Sequence, residues 1–141
     1  MTTSATTTVP YTELATTVRG DLILPGDPGY DQARAVYNAM IDKHPAAIAR
    51  CRDTADVITC VRFARQHGLE IAVRGGGHNA AGFGVWDGAL VIDLSMLRST
   101  TVNPDGHTVR VDAGCTWGDV DHATVAWSTS PQVHPASTRT V

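Results

Sequence analysis

The sequence predicts an α+β fold, in which a small parallel β-α-β unit packs beside a mainly antiparallel set of strands that starts at Ala89. Two short apolar runs, residues 46–51 and 70–74, lie on either side of a segment with helical periodicity. A third apolar run, residues 89–94, is followed by two strand patterns around a strong turn signal. Strand, helix and strand in this order predict a right-handed crossover with parallel strands.

Composition argues against several classes of partner. The chain has 141 residues, enough for one domain with a modest core, and 43% of them are apolar. Its net charge of -3 gives no reason to expect nucleic acid or an anionic membrane surface as a partner. No apolar run approaches the roughly 20 residues that a spanning helix needs. We therefore expect neither nucleic acid nor a membrane among its partners.

The N-terminal segment, assigned to residues 1–25, is predicted to be a lead-in to the folded domain. Its first ten residues, MTTSATTTVP, are rich in threonine and lack both basic residues and an apolar run. This composition predicts a short disordered stretch rather than a secretory signal, and it favours the cytoplasm. The three cysteines have unrelated spacings, so no disulfide framework is expected. The histidines show no paired ligand spacing, which argues against a zinc site.

The first predicted helix begins at Asp27, a plausible N-cap that Pro28 follows at the first helical position. Pro45 ends this helix. One helical face is predicted to carry four side chains, those of Ala33, Val36, Tyr37 and Met40. Residues 46–51 then form the first predicted strand.

The second helix is predicted over residues 54–67, with Asp53 or Thr54 as its cap and Gly68 as its stop. Residues 70–74 and 89–94 follow as strands, and a hairpin turns at residues 103–106 (NPDG). Thr116 caps a last helix. Beyond Trp127 the periodicity stops, so residues 128–141 are predicted to be an irregular tail, and residues 26–127 the domain.

The glycine-rich stretch between the second and third strands has two interpretations. One is a phosphate cradle, because glycine lets backbone N–H groups approach an anion and permits positive φ. Arg74 would add positive charge at its start. The other is a plain tight loop between two strands, which the glycines alone would favour.

A third interpretation is a Rossmann-type NAD(P) module. Gly75-x-Gly77-x-x-Ala80 matches the dinucleotide fingerprint, and Asp93 follows a strand at about the distance expected for the ribose-binding acid. That fold requires a helix directly after the glycines. The following residues, AGFGVWDGA, contain three more glycines, each of which costs a helix about 1 kcal/mol. This interpretation is therefore rejected.

The segment RGGGHN, which starts at Arg74, resembles a motif of a known family. Together with the strand end Asp93-Leu94 and the strand VDAG at residues 111–114, it is similar to the FAD-binding (PCMH-type) domain of the vanillyl-alcohol-oxidase-type flavoproteins. The most similar branch is the berberine-bridge-enzyme-like and 6-hydroxynicotine-oxidase-like oxidases. The resemblance covers roughly residues 26–127, and order and spacing agree across several elements.

The resemblance implies an FAD-dependent oxidoreductase of the oxidase type, with hydride transfer to flavin N5 and dioxygen as electron acceptor. The glycine loop would wrap the FAD pyrophosphate, and His78 would bond covalently to the 8α carbon of the isoalloxazine. A neutral imidazole is a suitable nucleophile, and a nearby guanidinium would disfavour its protonation. The cofactor-binding residues implied are Arg74, Gly75, Gly76, Gly77, His78, Asn79 and Gly82. Cys115 does not match the second flavin-linking position of some members and is expected to be a small buried hydrophobe.

Family members are several times longer than this chain and carry a substrate domain with the catalytic base. The chain therefore resembles an N-terminal fragment, of a truncated or frame-shifted gene product, with only the beginning of the second FAD-binding subdomain. No catalytic residue and no substrate can be assigned, although a small-molecule substrate is implied for full-length relatives. The alternative function is a catalytically incompetent fragment that binds FAD weakly or not at all.

Overall fold

The structure, a computed structural model, describes residues 9–127. Within them, four strands form a mixed sheet in the order β1-β2-β4-β3. The strands are β1 (Asp21–Ile23), β2 (Ala47–Arg50), β3 (Ile71–Arg74) and β4 (Leu90–Asp93). β2, β4 and β3 run parallel, whereas β1 pairs antiparallel with β2. The tail predicted for residues 128–141 and most of the first ten residues lie outside the described part.

The α+β class is confirmed, but the predicted boundary between its two parts is wrong. The strand that starts the supposed antiparallel set, β4, lies at the centre of the parallel sheet, between β2 and β3. All four of its residues are buried. A strand covered on both faces needs an apolar run rather than alternation, which is what the residues Ala89 to Ile92 provide.

Helices and loops cover both faces of the sheet. One face packs against α1 (Tyr11–Thr17) and α3 (Thr54–His67), and this layer includes Leu14, Cys60 and Phe63. The other face packs against α2 (Tyr30–Arg34) and the loop before β4, which contributes Val85. The predicted bounds of α3 are confirmed, since Asp53 accepts a hydrogen bond from the Asp56 backbone N–H and Gly68 ends the helix at φ 64°.

The second part of the fold is a hairpin of β5 (Thr100–Asn103) and β6 (Thr108–Val111) beside α4 (Trp117–Thr124) and a 3-10 turn (Val125–Trp127). Thr116 caps α4 in a reciprocal capping box with Asp119. Gly114 ties this part to the end of β4, because a Cβ there would lie 2.4 Å from the Leu94 carbonyl oxygen. Among residues 9–127, no helix has the length and apolar character needed to cross a membrane.

The predicted helix over residues 28–44 is much shorter in the structure. α2 covers five residues, and its cap is Gly29 at φ 86° rather than Asp27. The chain turns extended at Ala35, with ψ 138°. The carbonyl oxygens of Ala33 and Ala35 accept hydrogen bonds from the Arg74 guanidinium. They are therefore held by a side chain rather than by later turns of a helix.

The segment assigned to the lead-in also contains regular structure. α1 and β1 both lie within residues 1–25, and Leu14 on α1 is 1% exposed. Tyr11, Leu14 and Val18 have the i, i+3, i+7 spacing of an amphipathic helix, a signal that the threonine-rich composition obscured. This segment closes one face of the core.

Asp56 fastens the N-terminal segment to α3. Its buried carboxylate accepts hydrogen bonds from the backbone N–H groups of Arg19 (2.8 Å), Gly20 (3.0 Å) and Arg52 (2.9 Å). Burial opposes ionisation, but these three bonds outweigh it and lower the pKa of Asp56. Only glycine fits at position 20, because a Cβ there would lie 1.8 Å from the Arg50 carbonyl oxygen.

Replacing Asp56 by asparagine should lower the free energy of unfolding at pH 7 by about 2 kcal/mol. The asparagine side chain has one acceptor oxygen in place of two, so it cannot accept all three of these hydrogen bonds. The stability due to this carboxylate is present above the ordinary aspartate pKa of about 3.9 and is lost as pH falls through the lowered value. Urea unfolding from pH 7 to pH 3 should show a shallower acid dependence in the variant. The exposed Asp21→Asn change is the control, and equal behaviour of the two variants would disprove the anchoring role.

Candidate cofactor-binding site

The glycine loop (residues 75–79) begins directly at the carboxyl end of β3. The carboxyl ends of the three parallel strands meet at this edge of the sheet, which is where such sheets bind ligands. Between Gly77 and Gly88 the structure has turns and no helix. The dinucleotide fingerprint therefore lacks the helix that a Rossmann-type site requires.

The loop lines a groove of about 390 Å³. Its other walls come from β3, from the residue after β4 and from the segment that follows β6. The lining consists of Val73, Arg74, Gly75, Gly76, Gly77, His78, Asn79, Gly84, Leu94 and Ala113. The groove thus contains six of the seven residues implied by the resemblance, and Gly82 is the exception.

The backbone of the loop presents unused hydrogen-bond donors. Within residues 9–127, the N–H groups of residues 75–80 donate no hydrogen bond to any protein atom. Successive free N–H groups at a strand end can surround an anion such as a pyrophosphate. The loop therefore has the donors that a phosphate cradle needs.

Positive φ is confined to particular glycines of this region. Gly77 has φ 70° and Gly82 has φ 76°, whereas Gly75 and Gly76 lie outside the left-handed region. Gly82 is buried, and its N–H donates to the Asn79 carbonyl oxygen (3.0 Å). A Cβ on Gly82 would lie 2.8 Å from Ile41 Cγ2. Gly82 therefore closes the loop by its shape, and its N–H is not free for a ligand.

Asn79 shapes the turn that follows the loop. Its side-chain Oδ1 accepts hydrogen bonds from the backbone N–H groups of Ala81 (3.0 Å) and Phe83 (3.4 Å). Such a bond two residues ahead is the usual way in which asparagine stabilises a turn.

His78 is exposed at the groove. Among the described residues its imidazole has no hydrogen-bond partner, and its ring lies 5.2 Å from the ring of Tyr37 at an angle of 47°. Neither ring nitrogen is therefore engaged by another described residue. The alternative role of a loop histidine bonded to its own backbone is not what this geometry shows.

Arg74 lies in the site, but its guanidinium forms an ion pair with a buried carboxylate. Its side chain is 8% exposed and pairs with the Asp93 carboxylate, with Nη2 to Oδ2 at 2.8 Å and Nε to Oδ2 at 3.2 Å. The Asp93 Oδ1 also accepts from the Ser95 N–H. The expectation that Arg74 supplies free positive charge to a phosphate or to His78 is therefore wrong, because Asp93 neutralises it. The same pair accounts for the burial of the Asp93 carboxylate without a ribose-binding role.

Sequence reasoning missed the residues that support the loop from behind. Val36 and Tyr37 contact the loop at Gly77, and Asn38 and Ile41 contact the turn that follows it, at Ala80 and Gly82. All four belong to the stretch that was predicted to be helical. Their apolar spacing carried no signal for this role. Cys115 is fully buried, as expected, with its thiol near the Ser99 carbonyl oxygen.

Comparison with known proteins supports the same conclusion. The family described as FAD binding domain matches residues 45–141, more than half of the chain and beyond the Trp127 limit set by sequence. (R)-6-hydroxynicotine oxidase of Paenarthrobacter nicotinovorans is 37% identical over 103 residues, which cover 73% of this chain and 22% of that protein.

Two solved structures are similar in fold. That of 6-hydroxy-D-nicotine oxidase from Arthrobacter nicotinovorans has a TM-score of 0.73 and 34% identity, and the match covers 78% of this chain and 24% of the other. The berberine-bridge-enzyme-like protein 1 of Physcomitrella patens has a TM-score of 0.76 and 28% identity, with 82% and 25% covered. The chain spans about a quarter of the length of these relatives. It belongs to the FAD-binding domain family of FAD-linked oxidoreductases, on the berberine-bridge-enzyme-like and 6-hydroxynicotine-oxidase-like branch.

Proposed function

We propose that the chain is the part of an FAD-dependent oxidase in which the glycine loop holds the FAD pyrophosphate and His78 carries the 8α-histidyl bond to the flavin. The observation that supports this most is the run of free N–H groups at residues 75–79 on the wall of the groove. Backbone donors of this kind need no charged side chain. This agrees with the pairing of Arg74 to Asp93.

When bound, FAD supplies a hydride acceptor at N5 that dioxygen can reoxidise. The chain's own residues would bind the cofactor and orient it. The loop N–H groups hold an anion, Gly77 and Gly82 give the loop its turns, and the Asn79 side chain fixes the next turn. His78 presents an imidazole without a hydrogen-bond partner among the described residues. A small-molecule substrate belongs to this proposal, and none of the residues of this chain is assigned to its turnover.

The alternative is a fragment that binds FAD weakly or not at all. The share of the relatives that these 141 residues span, 22–25%, is consistent with this alternative but does not outweigh the proposed function. The groove walls come from a few short segments of this chain, and covalent attachment needs the flavin ring held in place as well as the pyrophosphate. We therefore expect little or no covalent flavin in the 141-residue chain itself.

The His78→Ala change should abolish covalent flavin and leave dissociable FAD, because the loop N–H groups and not the imidazole hold the pyrophosphate. The context is a chimera in which residues 26–127 replace the matching segment of a full-length relative. Denaturing gels viewed under ultraviolet light show covalent flavin as a fluorescent band, and absorbance before acid precipitation shows total flavin. His122→Ala, at an exposed histidine of α4, is the matched control.

Two outcomes would count against the proposal. A fluorescent band of equal intensity in the His78→Ala and parent chimeras would show that the bond is made elsewhere. Loss of all flavin from the His78→Ala protein would show that the loop N–H groups do not hold the pyrophosphate by themselves.

A further inference from the structure

The glycine loop has a second wall made by residues that lie outside the part of the chain matched by the family. That match begins at residue 45, whereas residues 33–41, named here the backing segment, run along the far side of the loop. A loop of glycines has little conformational preference of its own. Whatever fixes its shape also fixes the direction of its N–H groups.

Two hydrogen bonds join the backing segment to the glycine loop and to the residue that follows it. The Tyr37 N–H donates to the Gly77 carbonyl oxygen (3.0 Å), and the Asn38 side-chain amide donates to the Ala80 carbonyl oxygen (3.3 Å). Both bonds occupy carbonyl groups, so they leave the loop N–H groups unused. The backing segment therefore orients the loop without using its donors.

Close packing adds to these bonds. A Cβ on Gly77 would lie 3.7 Å from Val36 Cα, and one on Gly82 would lie 2.8 Å from Ile41 Cγ2. Gly77 of the loop and Gly82 just after it both have positive φ, and both face the backing segment. The Arg74 guanidinium holds the other end of the segment through the carbonyl oxygens of Ala33 and Ala35.

One residue of the segment reaches the proposed flavin ligand. The Tyr37 ring lies 5.2 Å from the His78 imidazole, and Tyr37 is 77% exposed, so its ring contributes little to the core. Aromatic rings at this separation attract each other in a tilted arrangement. Because the imidazole has no hydrogen-bond partner among the described residues, the Tyr37 ring is in a position to restrain its orientation.

We propose that the backing segment positions the glycine loop for FAD, and that Tyr37 is a positioning residue that orients the His78 imidazole. The proposal rests on the proposed function of the loop. It adds a site element upstream of the family match, and it assigns a role to an exposed tyrosine that the core does not require.

The test compares Tyr37→Ala and Tyr37→Phe in the 141-residue chain. The first readout is the chemical shift of the His78 imidazole protons in the absence of cofactor, because the ring current of a nearby aromatic ring changes that shift. The second is the dissociation constant for FAD, from quenching of flavin fluorescence. Met40→Ala is the matched control, since Met40 belongs to the same segment and is 91% exposed. Amide spectra of all variants verify the fold.

Tyr37→Ala should move the His78 resonances toward those of an unstructured histidine and weaken FAD binding about two- to tenfold. Tyr37→Phe keeps the ring and should restore both, and Met40→Ala should change neither. Unmoved His78 resonances in Tyr37→Ala would overturn the role of Tyr37. Moved resonances with unchanged FAD affinity would overturn its relevance to the cofactor. If the wild-type chain binds no FAD, the proposed function fails for this chain, and the resonances alone still decide whether Tyr37 orients His78.

Discussion

Replacing Arg74 by alanine should lower the free energy of unfolding by about 3–5 kcal/mol, because the Asp93 carboxylate stays buried without its partner. The two side chains are only 8% and 5% exposed. The variant also releases the carbonyl oxygens of Ala33 and Ala35. Urea unfolding followed by circular dichroism measures the loss as a lower midpoint.

The chain contains a matched control for this variant. Arg98 also pairs with an aspartate, Asp119, at 2.7 Å, but its side chain is 52% exposed. Exposed ion pairs contribute little to stability, so the urea midpoint of Arg98→Ala should be close to that of the wild-type chain. Arg74→Lys keeps the charge without the planar donor group and should fall between the two. Equal midpoints for Arg74→Ala and Arg98→Ala would contradict the structural role given to the buried pair.

Replacing Gly77 by valine should weaken FAD binding at least about tenfold while the fold persists. Gly77 has φ 70°, a region that costs an L-residue about 1–2 kcal/mol and a β-branched one more. A Cβ itself would make only an ordinary contact, with Val36 Cα at 3.7 Å as its nearest atom. The expected effect therefore comes from a change in the direction of the loop N–H groups. Fluorescence titration with FAD measures it.

Gly88→Val provides the control, because Gly88 has φ 72° and open space around it but lies away from the groove. It should bear a similar strain and keep the wild-type affinity for FAD. Gly77→Asn should recover part of the binding, since asparagine tolerates the left-handed region. Gly76 should not show this strain on substitution, because its φ is not positive. Unchanged FAD affinity in Gly77→Val would show that the loop is not the cradle.

Much of the fold follows from local signals in the sequence. α3 has a cap at Asp53, an apolar stripe and a stop at Gly68, and these three signals agree with one another. The hairpin of β5 and β6 follows from its turn residues, and α4 from Thr116. In each of these cases the decisive interactions join residues that are close in the chain.

The missed features depend on interactions between distant residues. Residues 35–41 have helical spacing, but they form bends and a turn, and the Arg74 guanidinium and the glycine loop hydrogen-bond to them. The place of β4 depends on pairing with strands on both sides, and the apolar run at residues 89–92 was the only local signal for it.

The same distinction applies to the site. The motif RGGGHN placed the loop, and its free N–H groups were expected from the glycines. The neutralisation of Arg74 could not be predicted, because Asp93 lies 19 residues away and meets it only through the parallel pairing of β3 and β4. A charged residue beside a motif is as easily a buried structural partner as a ligand.

The central claim is that the N–H groups of residues 75–79 hold the pyrophosphate of FAD. The most direct measurement is an amide ¹H–¹⁵N titration of the ¹⁵N-labelled chain with ADP, which carries the pyrophosphate without the flavin. We predict that the largest shifts, with one common dissociation constant, occur at the amide resonances of Gly75, Gly76, Gly77, His78 and Asn79. Saturable shifts confined to another surface, such as the groove between the hairpin and α4 around His107, with these five amides unmoved, would contradict it.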